Sequence, residues 1–184
     1  MLLLVSGSLR AGSTNTAALR TAAAMTNDAV LYDGLATLPH FNPDDDVDPL
    51  PPSVAELRAR IAAADGVLFC TPEYAGALPG PFKNLLDWSV GGGEIYEKPV
   101  GWINVAAEGR GIGVHDQLRV VLGYVGARLV DGACIDAPLL REDIGDDGLV
   151  TSSSARARIA AALDALRQAG ASGPRSSTAG GTDR

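Results

Sequence analysis

MLLLVSGSLRAGSTNT, residues 1–16, decides the fold. Met1 to Ser6 is a continuous apolar run, too short for a stable helix and lacking the alternation of a half-solvated strand. It reads as a parallel strand buried on both faces. Gly7 and Gly12 then follow with the spacing of the Walker phosphate loop, GxxxxGK[ST], but Ser13 stands where that motif places its lysine. The Walker lysine bridges the β- and γ-phosphates, and serine cannot do this. The turn still opens a helix, where unpaired N–H groups and the helix dipole attract an anion. Ser8, Ser13, Asn15 and Thr16 add side-chain donors, and Arg10 adds a guanidinium able to grip two phosphate oxygens. Such a turn suits a terminal monophosphate better than a triphosphate.

Outward from this unit, strands and helices alternate. An alanine-rich helix is expected from about Ser13 to Thr26, then a strand at Ala29–Tyr32 and a long proline- and aspartate-rich loop from Asp33 to Pro52. Ser53, with Glu56 three residues on, predicts an N-cap and capping box for a helix to about Ala64 that buries Val54, Leu57 and Ile61. Gly66–Thr71 reads as the third strand and residues 81–89 as a helix. Pro99–Ala106 is expected as the fourth strand, Val114–Val125 as a helix ended by Gly126, and Arg128–Ile135 as the fifth strand. A last helix starts near Ser152 with Ile159, Leu163 and Leu166 on one face. Residues 1–170 then make one domain, and 171–184, rich in Gly, Ser, Thr and Ala, read as a disordered tail.

Five strands alternating with helices give an α/β doubly wound parallel sheet, and the flavodoxin-like order 2-1-3-4-5 fits best. Ligands of such sheets bind beyond the carboxyl ends of the strands at the switch point. That rule selects the loops after the first, third and fourth strands.

Composition limits the partners. The chain carries a formal charge of −7, with 46% hydrophobic and 20% charged residues. An acidic protein repels polyanions, so nucleic acid and anionic membranes are excluded as expected partners. MLLLV is far shorter than a signal peptide or membrane span, and a cytoplasmic protein is expected. His40 and His115 lack metal-ligand spacing, and Cys70 and Cys134, each in an apolar run, read as buried free thiols. DDDVD at residues 44–48 fails as a calcium loop, since Pro49 and Ala55 occupy the positions needing Gly and Glu, and reads as a solvated acidic loop.

GSLRAGSTNT, TPEYAGALPGPFKNLLDW and the glycine-containing loop AAEGRGIG together resemble the NADPH-dependent FMN reductase family, over residues 1 to about 168. That family has a flavodoxin-like fold and includes quinone, chromate and azo reductases. The resemblance implies that Ser8, Arg10, Ser13, Asn15 and Thr16 hold the FMN phosphate. It further implies that Pro72, Glu73 and Tyr74, with Ala106, Ala107, Glu108 and Gly109, line the isoalloxazine ring.

Two departures from the family pattern stand out. Ala75, itself expected at the cofactor, replaces the asparagine of PEYN, removing an amide that could reach the flavin. Ala106, Ala107 and Glu108 replace an S-x-G pattern, so backbone N–H groups must do the work there. Lys83, Asn84, Asp87 and Trp88 match the family's KNxxDW segment, read as structural and interfacial, with Lys83 and Asp87 as an i, i+4 ion pair.

The expected activity is an FMN-dependent NAD(P)H oxidoreductase, with NADPH or NADH as co-substrate and a small-molecule acceptor. An FMN-binding electron carrier is the alternative. A homodimer or homotetramer is implied by the family. No residue is assigned as catalytic, because the cofactor performs the chemistry. Arg110 is a candidate partner for a nicotinamide 2′-phosphate.

Overall fold

A computed structural model describes residues 1–172. Its centre is an all-parallel sheet of β1 (Leu2–Ser6), β2 (Ala29–Tyr32), β3 (Gly66–Cys70), β4 (Pro99–Asn104) and β5 (Arg128–Asp136). The strand order is β2-β1-β3-β4-β5, as the sequence predicts. Five helices cover it: α1 (Thr14–Ala24), α2 (Pro52–Ala63), α3 (Gly80–Trp88), α4 (Ile112–Tyr124) and α5 (Ser153–Ala171).

The unbroken apolar run of β1 is explained by two cores. Leu3 and Val5 pack with α2, α3 and α4 on one face, while Leu2 and Leu4 pack with α1 and α5 on the other. Val54, Leu57 and Ile61 of α2 are buried, as are Ile159, Leu163 and Leu166 of α5. With a core on each face, no position of a central strand is free to be polar.

The exits of β1 and β3 are pressed together. Gly7 N–H donates to the Cys70 carbonyl at 2.9 Å, and a Cβ on Gly7 would run into the Thr71 side chain and approach the Phe82 ring. Glycine is therefore required where the first loop leaves the sheet. At the other edge the β4–β5 register jumps, Val100 pairing with Leu129 but Trp102 with Cys134, and the extra residues of β5 bulge against Gly101.

Several sequence expectations need correction. Ser53 does not cap α2. Pro51 is the N-cap and Pro52 the first helical residue, because proline's fixed φ suits that position and its missing N–H needs no partner. Ser53 Oγ instead donates to the Thr37 carbonyl, and Glu56 pairs with Arg60 at 2.7 Å. The acidic stretch is not wholly solvated either. Asp46 accepts from the buried Arg58 at 2.7 Å, and Arg58 also donates to the Trp88 carbonyl at 3.0 and 2.9 Å.

Cys70 is buried as expected, but Cys134, on edge strand β5, is only half-buried. The other element boundaries lie within two residues of expectation. Of the tail expected from residue 171, Ala171 ends α5, Ser172 follows it, and the rest lies outside the described residues.

KNxxDW is structural in its contacts. Lys83 and Asp87 form the i, i+4 pair at 2.5 Å. Asn84 donates to the Pro39 carbonyl and accepts from Phe41 N–H, and Trp88 Nε1 donates to Pro39 as well. Together these bonds bind the long loop to α3.

Candidate functional site

The loops after β1, β3 and β4 meet around a cleft of about 680 Å³, a volume typical of a small-molecule site. Ser8, Arg10, Ser13, Asn15, Pro72, Glu73, Tyr74, Ala106 and Gly109 line it. Thr16, Ala75, Ala107 and Glu108 do not, for separate physical reasons.

The β1–α1 wall is an anion cradle. Ser13 is the N-cap of α1, its Oγ accepting from Thr16 N–H at 3.4 Å. Thr16 turns inward, sharing a 2.8 Å hydrogen bond with Ser6 Oγ, so both of its donors are engaged away from the cleft. The N–H groups of Thr14 and Asn15 have no protein acceptor among the described residues, and both residues line the cleft. The N-terminus of α1 therefore faces the cleft with two free N–H groups, the condition that makes a helix end bind an anion.

Asn15 is 7% exposed, and its amide has a defined orientation. The Cys70 thiol donates to Asn15 Oδ1 at 3.3 Å. Complete burial pushes the Cys70 thiol far above its ordinary range, so it stays protonated and can donate. With Oδ1 committed inward, the Nδ2 group has no partner among the described residues and is left for the cleft. That group is open to the cleft, where a bound ligand oxygen can accept from it.

The β3–α3 wall is a small hairpin. Tyr74 and Ala77 exchange backbone hydrogen bonds at 3.1 and 3.0 Å around Ala75 and Gly76, whose φ values are 52° and 73°. Two consecutive positive φ values mark a type I′ turn, in which Asn-Gly is the favoured pair. The asparagine of the family pattern is thus explained by turn conformation, and Ala75 points out of the cleft. Ala75, expected at the cofactor, is thus exposed and outside the cleft lining. Ala75→Asn should stabilise the fold by roughly 0.5–1 kcal/mol, since a non-glycine left-handed residue costs about 1–2 kcal/mol and asparagine tolerates it best. Urea denaturation measures this, and a destabilised variant would contradict the assigned turn.

Helix α4 holds the hairpin from behind. Glu73 Oε2 accepts from Val114 N–H at 3.1 Å, in the first turn of α4. Gln117 donates to the Gly76 carbonyl and accepts from Leu78 N–H, both at 3.1 Å. Glu73, although it borders the cleft, is committed to a helix terminus.

The β4–α4 wall is organised by Asn104, which sequence reasoning passed over. Its Nδ2 donates to the Arg110 carbonyl at 3.0 Å and to Asp136 at 2.8 Å, and its Oδ1 accepts from Ala106 N–H at 3.1 Å. This folds residues 105–110 into a tight loop whose tip, Ala107 and Glu108, faces solvent. Gly109 and Gly111 line the cleft, and their N–H groups have no protein acceptor among the described residues. Backbone donors are therefore available on this wall at Gly109 and Gly111, whereas Ala107 and Glu108 lie outside the cleft lining.

Behind the loop, His115 is buried, with Nδ1 bonded to the Gly111 carbonyl at 2.5 Å and the ring stacked on Trp102 at 5.6 Å. Since a carbonyl only accepts, Nδ1 carries the proton. Burial lowers the His115 pKa, and the neutral ring holds the loop.

Among the described residues, three arginines line the cleft: Arg10, Arg110 and Arg141. The last comes from the β5–α5 connection, which sequence reasoning left without a function. No sequence signal marks it, because it reaches the cleft only through the path of that connection.

Residues 1–137 match the family model described as NADPH-dependent FMN reductase. Among curated proteins, a probable NADPH:quinone oxidoreductase of Oryza sativa is 41% identical over 90 residues, covering 46% of this chain and 44% of that protein. An NAD(P)H-dependent FMN reductase of Pseudomonas aeruginosa is 39% identical over 87 residues, covering 46% and 47%. The matched stretch thus spans less than half the length of these relatives. Among solved structures, a flavoenzyme NAD(P)H:(acceptor) oxidoreductase of Paracoccus denitrificans superposes with a TM-score of 0.73 at 26% identity, over 91% of this chain and 97% of that one.

FMN passes the test of fit that the cleft itself sets. The open end of α1 and the cleft-facing Asn15 amide suit its phosphate, and free backbone donors near Gly109 and Gly111 suit the polar edge of its ring. With motif, topology and cleft in agreement over three-quarters of its length, this chain belongs to the NADPH-dependent FMN reductase family.

Proposed function

We propose that this protein is an FMN-dependent NAD(P)H oxidoreductase. The cleft's division into an anion-binding end at α1 and a backbone-lined end between the β3–α3 and β4–α4 loops is the observation that carries this reading. When bound, FMN supplies the redox chemistry, accepting hydride from NADPH or NADH and passing electrons to a small-molecule acceptor. The acceptor class is a quinone, a flavin, an azo compound or a metal oxyanion.

The chain's own residues bind and orient. Ser8, Arg10, Ser13 and Asn15, with the free N–H groups of α1, fix the phosphate. The Tyr74–Ala77 hairpin, held by Glu73 and Gln117, and the loop held by Asn104 set the width of the ring end. Among the described residues Tyr74 is the one aromatic lining the cleft, so the ring end stays open enough for a second molecule to stack. No side chain is required to move a proton.

This reading extends to a cytoplasmic enzyme acting as a homodimer or homotetramer. The exposed apolar surface of Leu9 and Tyr74 beside the cleft, with Pro79 and Pro81, supports a subunit contact there.

The test is the visible spectrum of purified or FMN-reconstituted protein before and after anaerobic NADPH. A flavin spectrum, FMN and not FAD on extraction, and bleaching by NADPH are expected. FAD would have to extend its adenylate past a loop shaped around a terminal phosphate. Bound FMN that NADPH fails to bleach would mark an electron carrier instead, and tight ATP binding without flavin affinity would overturn the reading.

A further inference from the structure

The β5–α5 connection crosses the carboxyl edge of the sheet as a pinned strap. Ala137 N–H donates to the Asn104 carbonyl at 2.8 Å and Leu139 N–H to the Val105 carbonyl at 3.1 Å, extending the line of β4 toward the cleft. A short 3₁₀ turn, Arg141–Asp143, follows, closed by Leu140 N–H to Asp143 Oδ2 at 2.8 Å. Thr151 N–H and Oγ1 both donate to the Asp143 carbonyl, at 2.8 and 2.9 Å. Finally, Val150 N–H donates to the buried Thr21 Oγ1 of α1 at 2.9 Å, tying the far end of the strap to the helix whose N-terminus forms the anion cradle.

Arg141 sits on this strap, borders the same cleft as Arg10, Ser13, Thr14 and Asn15, and enters no ion pair among the described residues. An unpaired guanidinium is ordinary on a surface. Here it stands on a pinned backbone and borders the same cleft as a helix end with free N–H groups and the Asn15 Nδ2 group, which is open to the cleft and has no protein partner among the described residues. The carboxylate lining the cleft, Glu73, is already engaged by Val114 N–H, so it is no strong competitor for Arg141. In a chain of net charge −7, a cleft bordered by three arginines is a local reversal of sign, which an anionic ligand exploits.

We propose that Arg141 is a second phosphate-binding residue, gripping the flavin phosphate together with Arg10 from the strap. This rests on the FMN reading above. Because a dianion accepts from several donors at once, two arginines approaching from separate loops share it without competing. The strap then has a function beyond connecting β5 to α5: it supplies selectivity for the phosphorylated flavin.

FMN and riboflavin affinities, by flavin fluorescence quenching, separate charge recognition from packing. The variants are Arg141→Gln and Arg141→Lys, with thermal melting by circular dichroism to confirm the fold. Arg141→Gln is expected to weaken FMN about tenfold while changing riboflavin affinity less than twofold, and Arg141→Lys to recover part of the loss. Unchanged FMN affinity in Arg141→Gln would overturn the proposal. So would an equal loss for both flavins, which would assign Arg141 to the packing of the strap. Wild-type protein that binds neither flavin would instead overturn the FMN reading itself, a result read before any variant is made.

Discussion

Arg10→Ala is expected to weaken FMN binding tenfold to a hundredfold, more than any single change on the ring-side walls. Arg10 is the only cation in the β1–α1 turn, and it lines the cleft without an ion pair among the described residues. Its removal leaves the phosphate with neutral donors on that wall. A hydrogen bond to a charged group contributes about 1.5–3 kcal/mol, which sets the range. Arg10→Lys should recover only part, since an ammonium cannot make the paired contact. The difference between wild type and Arg10→Ala should shrink at high salt, as screening weakens the Coulombic share. Equal FMN affinities for the three proteins, by fluorescence quenching, would place Arg10 in solvent. The double variant with Arg141→Gln should lose more than either single change if both arginines reach the same group.

The largest effect on stability is expected at Trp88. Its side chain is fully buried, it meets the Phe41 ring edge-on at 5.0 Å, and its Nε1 donates to the Pro39 carbonyl at 2.8 Å. Its own carbonyl receives two bonds from Arg58. Trp88→Ala leaves a cavity where α3, the long loop and α2 meet, and removes the anchor of residues 39–41. Loss of a buried Trp or Phe to alanine costs about 3–5 kcal/mol, a large part of the 5–15 kcal/mol of a typical domain. Trp88→Phe keeps most of the packing but leaves Pro39 with the Asn84 amide alone, and should cost less than half as much. Urea unfolding measures both, and a shift below about 1 kcal/mol for Trp88→Ala would show that the loop collapses into the space.

Much of this molecule is legible in its sequence, for identifiable reasons. A central parallel strand has a core on each face, so Leu2 through Val5 must all be apolar, and the run announces its own environment. The glycine spacing after it marks the phosphate turn, because Gly7 is forced by Thr71 and Ser13 by the helix it caps. What stays hidden is set by tertiary contact. Asn104 looks like the end of a strand until Asp136, 32 residues on, lies beside it. Arg58 resembles a surface residue of an amphipathic helix, yet it is buried because the Trp88 carbonyl and Asp46 receive it. Ser53 was expected to cap α2, but two adjacent prolines set the helix start first. At Ala75 the sequence shows only a departure from a pattern, and the positive φ of 52° there belongs to the folded hairpin.

The two cysteines give the protein a pair of internal reporters. Thiol alkylation proceeds through the thiolate, so its rate follows both access and pKa. Cys70 is sealed beneath Asn15 and its thiol is pushed up by burial; Cys134 lies half-exposed on the edge strand, with a backbone hydrogen bond from Trp102 and the nearby Arg119 charge partly offsetting the upward push of its own burial. Cys134 therefore times the fraying of the β5 edge, whereas Cys70 is reached only when the floor of the cleft opens. A ligand resting on Asn15 holds that floor shut, and the labelling rate of a single native thiol then registers occupancy of the site without reference to colour, turnover or the identity of the electron acceptor.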